Sequence, residues 1–179
     1  KGFPHQIADA VALAPMDGLT DEPARRLISS FGGVSYCTTE FVRVSSNPVH
    51  EKVLLRECPE LSNGGRTPSG VPVAVQILGG DPKRMAETAR LAASLGAPAI
   101  DINFGCPAKC VNRHDGGSAI LKYPDRLHSI VAAVREGLPE VELVVPREAA
   151  YLEAFGAALL AGEKGEPLPA PEALVVDAD

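Results

Sequence analysis

Residues 73–103 read VAVQILGGDPKRMAETARLAASLGAPAIDIN, and this stretch decides the fold class. Residues 73–78 are almost entirely apolar and end at two glycines, which indicates a buried strand. Asp81 can cap the following helix, because apolar residues recur at helical spacing over 82–95. A second short apolar run, residues 99–103, predicts the next strand. A strand, a helix and a strand in this order predict a parallel sheet covered by helices.

The same alternation continues on both sides of this unit. The sequence predicts three further strands, over residues 11–14, 34–42 and 141–145, and three further helices, over residues 22–31, 48–57 and 124–137. Residues 62–70 predict a loop, since they are rich in Gly, Ser, Asn and Pro. Two architectures fit this order of elements, a (β/α)8 barrel and an open doubly wound sheet. Residues 15–18, the first predicted βα turn, lack a G-x-G-x-x-G motif, which favours the barrel. The five predicted strands are too few to close a barrel.

Polar or chemically special residues cluster near the ends of the predicted strands, and these are Asp17, Glu40, Arg43, Gln76, Asn103 and Cys106. Barrel enzymes place their catalytic residues at the ends of successive strands. Asn103 could orient a planar ligand through its amide. Cys106 stands between Gly105 and Pro107, and a thiol on such a turn could exchange a proton with a substrate. The alternative for Cys106 is a buried thiol that packs as a small hydrophobe.

The composition is that of an ordinary globular protein: the chain has 179 residues, of which 45% are hydrophobic and 22% charged. This length is enough for one sizeable core. No apolar run reaches the roughly 18 residues of a membrane span, and residues 1–6 do not resemble a signal peptide. We therefore expect a cytoplasmic protein. The four cysteines form no CxxC pair, which predicts reduced thiols and no metal site.

The net charge is unevenly distributed along the chain. The formal value of −6 argues at first against a nucleic-acid partner. Residues 146–179, however, hold two basic and seven acidic residues, whereas residues 1–145 hold fifteen basic and sixteen acidic ones. The acidity therefore belongs to the last part of the chain, and the remainder is close to neutral.

Five short motifs appear in order along residues 11–145. They are APMDG at 14–18, TEFV at 39–42, VQILG at 75–79, DINFGCP at 101–107 and GSAIL at 117–121. At these spacings they resemble the tRNA-dihydrouridine synthases. Residues 39–43 and 66–70 are most similar to the bacterial C-type branch of that family.

The resemblance implies an FMN-binding (β/α)8 barrel with a C-terminal helical domain that helps to hold tRNA. In that family NADPH reduces the flavin, which passes a hydride to C6 of a D-loop uracil; position 16 is the candidate here. By matching position, Cys106 would protonate C5 of the uracil, and Asn103 would lie near the flavin and the substrate. Pro15 and Met16 would contact the isoalloxazine ring, and Gln76 would hydrogen-bond its edge.

Four residues are candidates for contacts with tRNA. Lys109 and Arg113 flank the loop thiol, where a phosphate contact competes with an ordinary solvated loop face. Glu40 and Arg43 end the second predicted strand, where a substrate contact competes with an internal ion pair.

The sequence departs from the family near its predicted fifth strand. A pattern like V-K-x-R normally supplies a Lys that reaches the flavin, whereas residues 144–147 read VVPR. A barrel usually takes about 200 residues or more. We therefore expect an incomplete barrel over residues 1–145, a divergent helical and linker tail over residues 146–179, and self-association through the open barrel edge.

Two other functions stay open at this point. One is that of another FMN barrel oxidoreductase, acting on a free pyrimidine. The other is that of a non-catalytic remnant of a tRNA-dihydrouridine synthase.

Overall fold

The computed structural model describes residues 10–108 and 116–144, nearly all of them in one compact unit, Lys1–Glu142. The strands of this part are β1 (Ala12–Leu13), β2 (Tyr36–Thr38), β3 (Val42–Val44), β4 (Val73–Gly79) and β5 (Ile100–Ile102). The α-helices are α1 (Glu22–Ser30), α2 (Glu51–Glu57), α3 (Pro82–Ser94) and α4 (Pro124–Gly137). Two 3₁₀ helices, η1 (Pro59–Asn63) and η2 (Gly117–Lys122), complete it.

Side-chain caps begin two of the helices, and the sequence predicted the one at Asp81. Asp21 Oδ1 accepts a hydrogen bond from the backbone N–H of Ala24 at 3.1 Å at the start of α1. Asp81 Oδ1 accepts one from Arg84 at 2.9 Å at the start of α3. Each helix then has a proline in its first turn, where the missing N–H costs nothing. Both helices therefore start directly after the strand or loop that precedes them.

The sheet is parallel throughout, and its pairings follow the order of the chain. β1 pairs with β2, β2 and β3 both pair with β4, and β4 pairs with β5. An open doubly wound sheet reverses its strand order at a switch point, and the strands in the described ranges contain no such reversal. This confirms a mixed α/β fold with a parallel sheet, as in an incomplete (β/α)8 barrel.

The predicted strand over residues 34–42 is wrong as a single strand, because a bulge divides it into β2 and β3. Thr38 pairs with Ala74 and Val42 pairs with Ile77, so four steps along one strand match three along its neighbour. At the break, Thr39 Oγ1 accepts the backbone N–H of Gln76 at 3.0 Å. A side chain thus replaces the missing backbone carbonyl, and the extra residue is accommodated without an unsatisfied buried donor.

Side chains along the strands alternate between two faces of the sheet. One face packs with the helices into the apolar core, and its members include Cys37, Val73, Val75 and Ile77 of the strands and Met85, Ala89 and Ala92 of α3. The opposite face, called here the inner face, carries Tyr36, Gln76 and Asp101 by the same alternation. The helices therefore cover one side of the sheet, and the other side carries polar side chains.

The predicted strand over residues 141–145 is also wrong for the residues that the structure describes. Residues 141–144 are not in a strand, and Val145 lies outside the described residues. Val141 is 51% exposed, and its N–H closes a turn on the carbonyl of Leu138. An apolar, β-branched composition favours a strand only where a neighbouring strand is available to pair with it.

The predicted loop over 62–70 is wrong at its start, where residues 62 and 63 are helical because η1 extends to Asn63.

Candidate active site at the carboxyl ends of the strands

Three inner-face side chains form a hydrogen-bonded row across β4 and β5. Gln76 and Asp101 are partners in the parallel register, which brings their side chains to the same face. Gln76 Nε2 donates to Asp101 Oδ2 at 2.6 Å. Asn103 Nδ2 in turn donates to Gln76 Oε1 at 3.0 Å. Two residues predicted from the sequence, Gln76 and Asn103, are therefore in direct contact.

The same asparagine holds the loop that carries Cys106. Asn103 Oδ1 accepts the backbone N–H of Gly105 at 2.9 Å and that of Cys106 at 3.0 Å. The carbonyl of Cys106 accepts the N–H of Ser118 at 3.0 Å. The loop is therefore fixed on both sides of the thiol.

Cys106 differs from the other cysteines in the described ranges. Its side chain is half-buried, whereas Cys37 and Cys58 are fully buried. Burial raises the pKa of Cys37 to about 11 and that of Cys58 to about 12. Both buried thiols therefore stay protonated and inaccessible at neutral pH. Cys106 is the cysteine whose position suits chemistry.

Asp101 lies on the inner face in a partly shielded setting. It keeps an exposed surface, but burial of its carboxyl group among protein atoms raises its pKa, and the hydrogen bond from Gln76 opposes that rise. Burial also raises the pKa of Tyr36, and the negative charge of Asp101 adds to that effect. The carboxyl group therefore makes the Tyr36 phenol harder to deprotonate.

The turn after β1 carries Pro15 and Met16. The backbone N–H of Met16 donates to Thr20 Oγ1 at 2.7 Å, and the Met16 carbonyl accepts the N–H groups of Leu19 at 2.9 Å and Thr20 at 3.0 Å. Pro15 is half-buried and the Met16 side chain is 58% exposed. A fixed backbone thus presents an uncovered methionine, as a contact with a flat apolar ring requires.

A buried ion pair between Arg25 and Glu60 holds this turn through Thr20. Arg25 Nη1 donates to the carbonyl of Thr20 at 2.8 Å, and the guanidinium also binds the carboxylate of Glu60. Arg25 and Glu60 are 0% and 5% exposed. Thr20, which accepts the hydrogen bond from the Met16 backbone, is therefore itself held by Arg25.

Glu40 links the bulge between β2 and β3 to the turn after β1. It lies in the bulge between β2 and β3, and its Oε1 accepts the N–H of Leu19 at 3.0 Å. Bulges re-aim side chains in this way near active sites. Glu40 and the exposed Arg43 also line an open cleft of about 260 Å³ together with Asp17. Of the predicted tRNA contacts, these two are adjacent in space.

The remaining two predicted contacts, Lys109 and Arg113, lie outside the described residues. Sequence reasoning missed the parts played by Asp101 and Thr39. The signal for Asp101 was available, because residues two apart on a strand share a face and Asn103 was already a candidate. No comparable signal marked Thr39, since its part depends on a bulge that the sequence does not reveal.

Among residues 10–108 and 116–144 no group of three or more His, Cys, Asp or Glu side chains lies close enough to hold a metal ion. The helices in these ranges include none that is long and apolar enough to cross a membrane.

The comparisons with known proteins agree with this geometry. The sequence model of the dihydrouridine synthase family (Dus) matches residues 12–147. A protein of Shewanella oneidensis named tRNA-dihydrouridine(16) synthase is 51% identical over 129 residues, which are 72% of this chain and 41% of that protein. Proteins of the same name from Aquipseudomonas alcaligenes and Vibrio vulnificus are 50% and 49% identical, with the same shares covered.

The chain spans about two fifths of the length of these relatives. The matched residues include both the turn after β1 and the Cys106 loop. Dihydrouridine synthases are generally flavin enzymes. This chain belongs to the dihydrouridine synthase family.

Proposed function

We propose that this chain carries the first strands and the catalytic loop of an FMN-dependent tRNA-dihydrouridine synthase. The relatives carry the name tRNA-dihydrouridine(16) synthase, which makes uridine 16 of the tRNA D loop the proposed target. The observation that carries the proposal is the setting of Cys106. Its loop is held by Asn103 at the end of β5, and its thiol is half-buried rather than part of the core.

The proposed chemistry needs a proton at one carbon of the uracil and a hydride at its neighbour. Bound FMN, once reduced by NADPH, would supply the hydride to C6. The Cys106 thiol would donate its proton to C5, where negative charge develops as the hydride arrives. The thiolate left behind would take a proton from water before the next turnover. Asn103 would keep the thiol at a fixed position during this step.

The residues present fit a flavin at the inner face. Pro15 and Met16 would lie against the isoalloxazine, since the Met16 side chain is exposed on a fixed turn. Gln76 uses one N–H and one lone pair of its amide within the protein. An amide has two of each, so one donor and one acceptor remain for the ring edge. Asn103 retains one N–H in the same way.

The tRNA would approach over the bulge and the cleft beside it. Arg43 would contact phosphate there, and Glu40 would line the cleft while one of its oxygens holds the turn after β1. Lys109 and Arg113 would extend the same surface from the Cys106 side. Uracil would have to leave the base stack, which costs little in a single-stranded loop.

The test begins with the visible spectrum of the purified chain after it has been mixed with FMN and desalted. A retained flavin band is expected, and dihydrouridine is then measured in unmodified tRNA with NADPH present. Cys106→Ala should abolish dihydrouridine formation and leave flavin reduction by NADPH unchanged. Cys58→Ala, which removes a buried thiol, is the matched control and should keep product formation.

Three outcomes would overturn the proposal. Unchanged product in Cys106→Ala would remove the thiol as proton donor. Turnover of free pyrimidine without tRNA would favour a different FMN barrel oxidoreductase. A chain that is folded but retains no flavin would be a non-catalytic remnant.

A further inference from the structure

The hydrogen bonds from Asp101 to the Cys106 loop have a fixed direction. A carboxylate can only accept, so the Gln76 group that faces Asp101 must be its NH2. Backbone N–H groups can only donate, so the Asn103 atom that faces the loop must be its oxygen. The remaining contact, Asn103 Nδ2 to Gln76 Oε1, satisfies both requirements. The two ends of the row therefore demand the same orientation of both amides.

We propose that Asp101 is a positioning residue for Cys106: its carboxylate orients the Gln76 amide, which orients the Asn103 amide, which in turn holds the Cys106 loop. The importance of this row rests on the proposed function, in which Cys106 is the proton donor. The row itself is a property of the folded chain and can be tested without any activity.

The physical consequence of losing the acceptor follows from the amide groups. Without Asp101, only the loop end of the row still favours the present orientation of the two amides, so turned orientations cost less free energy than in the original chain. A turned Gln76 would present its NH2 to the NH2 of Asn103, and a turned Asn103 would present its NH2 to two backbone N–H groups. Donors that face donors lose their hydrogen bonds. The loop would then be held less often in its present conformation.

The surroundings of Asp101 fit this part. Shielding by protein atoms raises the pKa of its carboxyl group, so the hydrogen bond from Gln76 compensates a partly desolvated charge. Tyr36 of β2 lies on the same inner face, and burial and the charge of Asp101 raise its pKa. Asp101 is therefore the charged end of the row.

The decisive variants distinguish the two properties of the Asp101 carboxylate, its hydrogen-bond acceptor and its negative charge. Asp101→Leu removes both. Asp101→Asn removes the charge but can still offer an amide oxygen to Gln76. Gln76→Glu places a second carboxylate against Asp101, so that two acceptors face each other. The double variant Gln76→Glu with Asp101→Asn restores a donor opposite an acceptor in reversed order, and the carboxylate introduced at position 76 still accepts from Asn103.

The readout is the exchange of the Gly105 and Cys106 backbone amides with water, measured by NMR at pH 7.5. In Asp101→Leu both should exchange roughly tenfold faster than in the original chain, as the loss of one hydrogen bond predicts. Asp101→Asn should stay within about twofold. The double variant should exchange more slowly than Gln76→Glu alone. Glu140→Leu, a change of an exposed carboxylate in the turn after α4, is the matched control and should change neither amide.

Several outcomes would overturn the inference. Unchanged exchange in Asp101→Leu would do so, as would equal effects of Asp101→Asn and Asp101→Leu, because a charge would then matter rather than an acceptor. If Asp101→Leu does not fold, the comparison of Gln76→Glu with its double variant decides, and absence of rescue there overturns the row. If the exchange pattern is as expected while Cys106→Ala still forms dihydrouridine, the row stands and the proposed function fails.

Discussion

The guanidinium of Arg25 donates two hydrogen bonds of 2.8 Å to the carboxylate of Glu60, and both side chains are buried. The pair joins α1 to η1, and its two residues are 35 positions apart along the chain. Through Thr20 it also reaches the turn that carries Met16. One buried contact thus connects the packing of two helical segments with a turn of the candidate site.

Breaking this pair should be strongly destabilising. Glu60→Gln leaves a buried guanidinium without its counter-charge, and we expect a loss of about 3–5 kcal/mol in the free energy of unfolding. Urea denaturation measures it. Glu22→Gln, which breaks the partly exposed pair between Glu22 and Arg26 at 3.8 Å, should cost less than about 1 kcal/mol. Equal losses of unfolding free energy in Glu60→Gln and Glu22→Gln would contradict a stabilising role for the buried pair.

The hydrogen bond from Leu19 to Glu40 predicts a local effect at the turn after β1. Glu40→Ala removes one of the two acceptors of the Leu19 N–H, which also donates to the Met16 carbonyl at 2.9 Å, so this amide should exchange with water about threefold faster. Glu40→Gln keeps an oxygen in the same place and should leave the exchange nearly unchanged. NMR of the Leu19 amide distinguishes the two. If Gln behaves like Ala, the negative charge rather than the acceptor holds the turn.

The different settings of the cysteines predict selective alkylation. At pH 8 iodoacetamide should modify Cys106 at least about tenfold faster than Cys37 or Cys58, because the thiolate reacts and burial suppresses it at the latter two. Peptide mapping by mass spectrometry measures each site separately. After unfolding in urea the three rates should become similar. Rapid modification of Cys58 in the folded chain would contradict its place in the core.

The same buried thiols predict a loss of stability in alkali. Their pKa values are raised in the folded chain, to about 11 for Cys37 and about 12 for Cys58. The unfolded chain therefore releases these protons at lower pH than the folded chain does. The stability that the protonated thiols contribute is fully present below their pKa in the unfolded chain, about 8.5. It is lost as the pH rises towards 11–12.

Urea denaturation at intervals from pH 8 to pH 10.5 tests this dependence. The free energy of unfolding should fall steadily over that range. It should fall less steeply in Cys58→Ala, which is less stable at pH 8 but has one such thiol fewer. Parallel curves for the two proteins would show that Cys58 does not titrate differently in the folded chain.

Two adjacent glycines should respond differently to alanine. Gly64 and Gly65 both have φ near +65° to +69°, so Ala is strained at either position by about 1–2 kcal/mol. At Gly64 an added Cβ meets nothing within 4 Å, whereas at Gly65 it would contact the ring of Pro98 and lie 2.9 Å from the carbonyl oxygen of Gly96. Gly65→Ala should therefore cost about 1–3 kcal/mol more than Gly64→Ala. Thermal and urea unfolding measure the difference, and equal costs would contradict the close approach.

The sequence predicted the elements whose signals are local. The apolar run at 73–78, the cap at Asp81 and the helix over 124–137 all appear in the structure with nearly the predicted bounds. The bulge between β2 and β3 could not be predicted in this way. It depends on a register between strands about 36 residues apart and on the hydroxyl of Thr39.

The candidate site shows the same division. Gln76 and Asn103 were predicted from their places after or within strands, and the structure brings them together. Asp101 was missed although it stands two residues before Asn103 and therefore shares its face of the strand. Its importance comes from facing Gln76 across the sheet, a relation that only the pairing of β4 with β5 reveals.

The chain-order pairing of the parallel strands also bears on how the protein folds. Each hydrogen-bonded neighbour lies within one strand–helix unit of its partner along the sequence. Loop closure therefore spans only short lengths of chain, which favours rapid assembly for a parallel sheet. A nascent polypeptide could add its strands one at a time as the ribosome releases them. In that order, the bulged strand remains half-paired until β4 emerges, and the Cys106 loop is ordered only once β5 has joined.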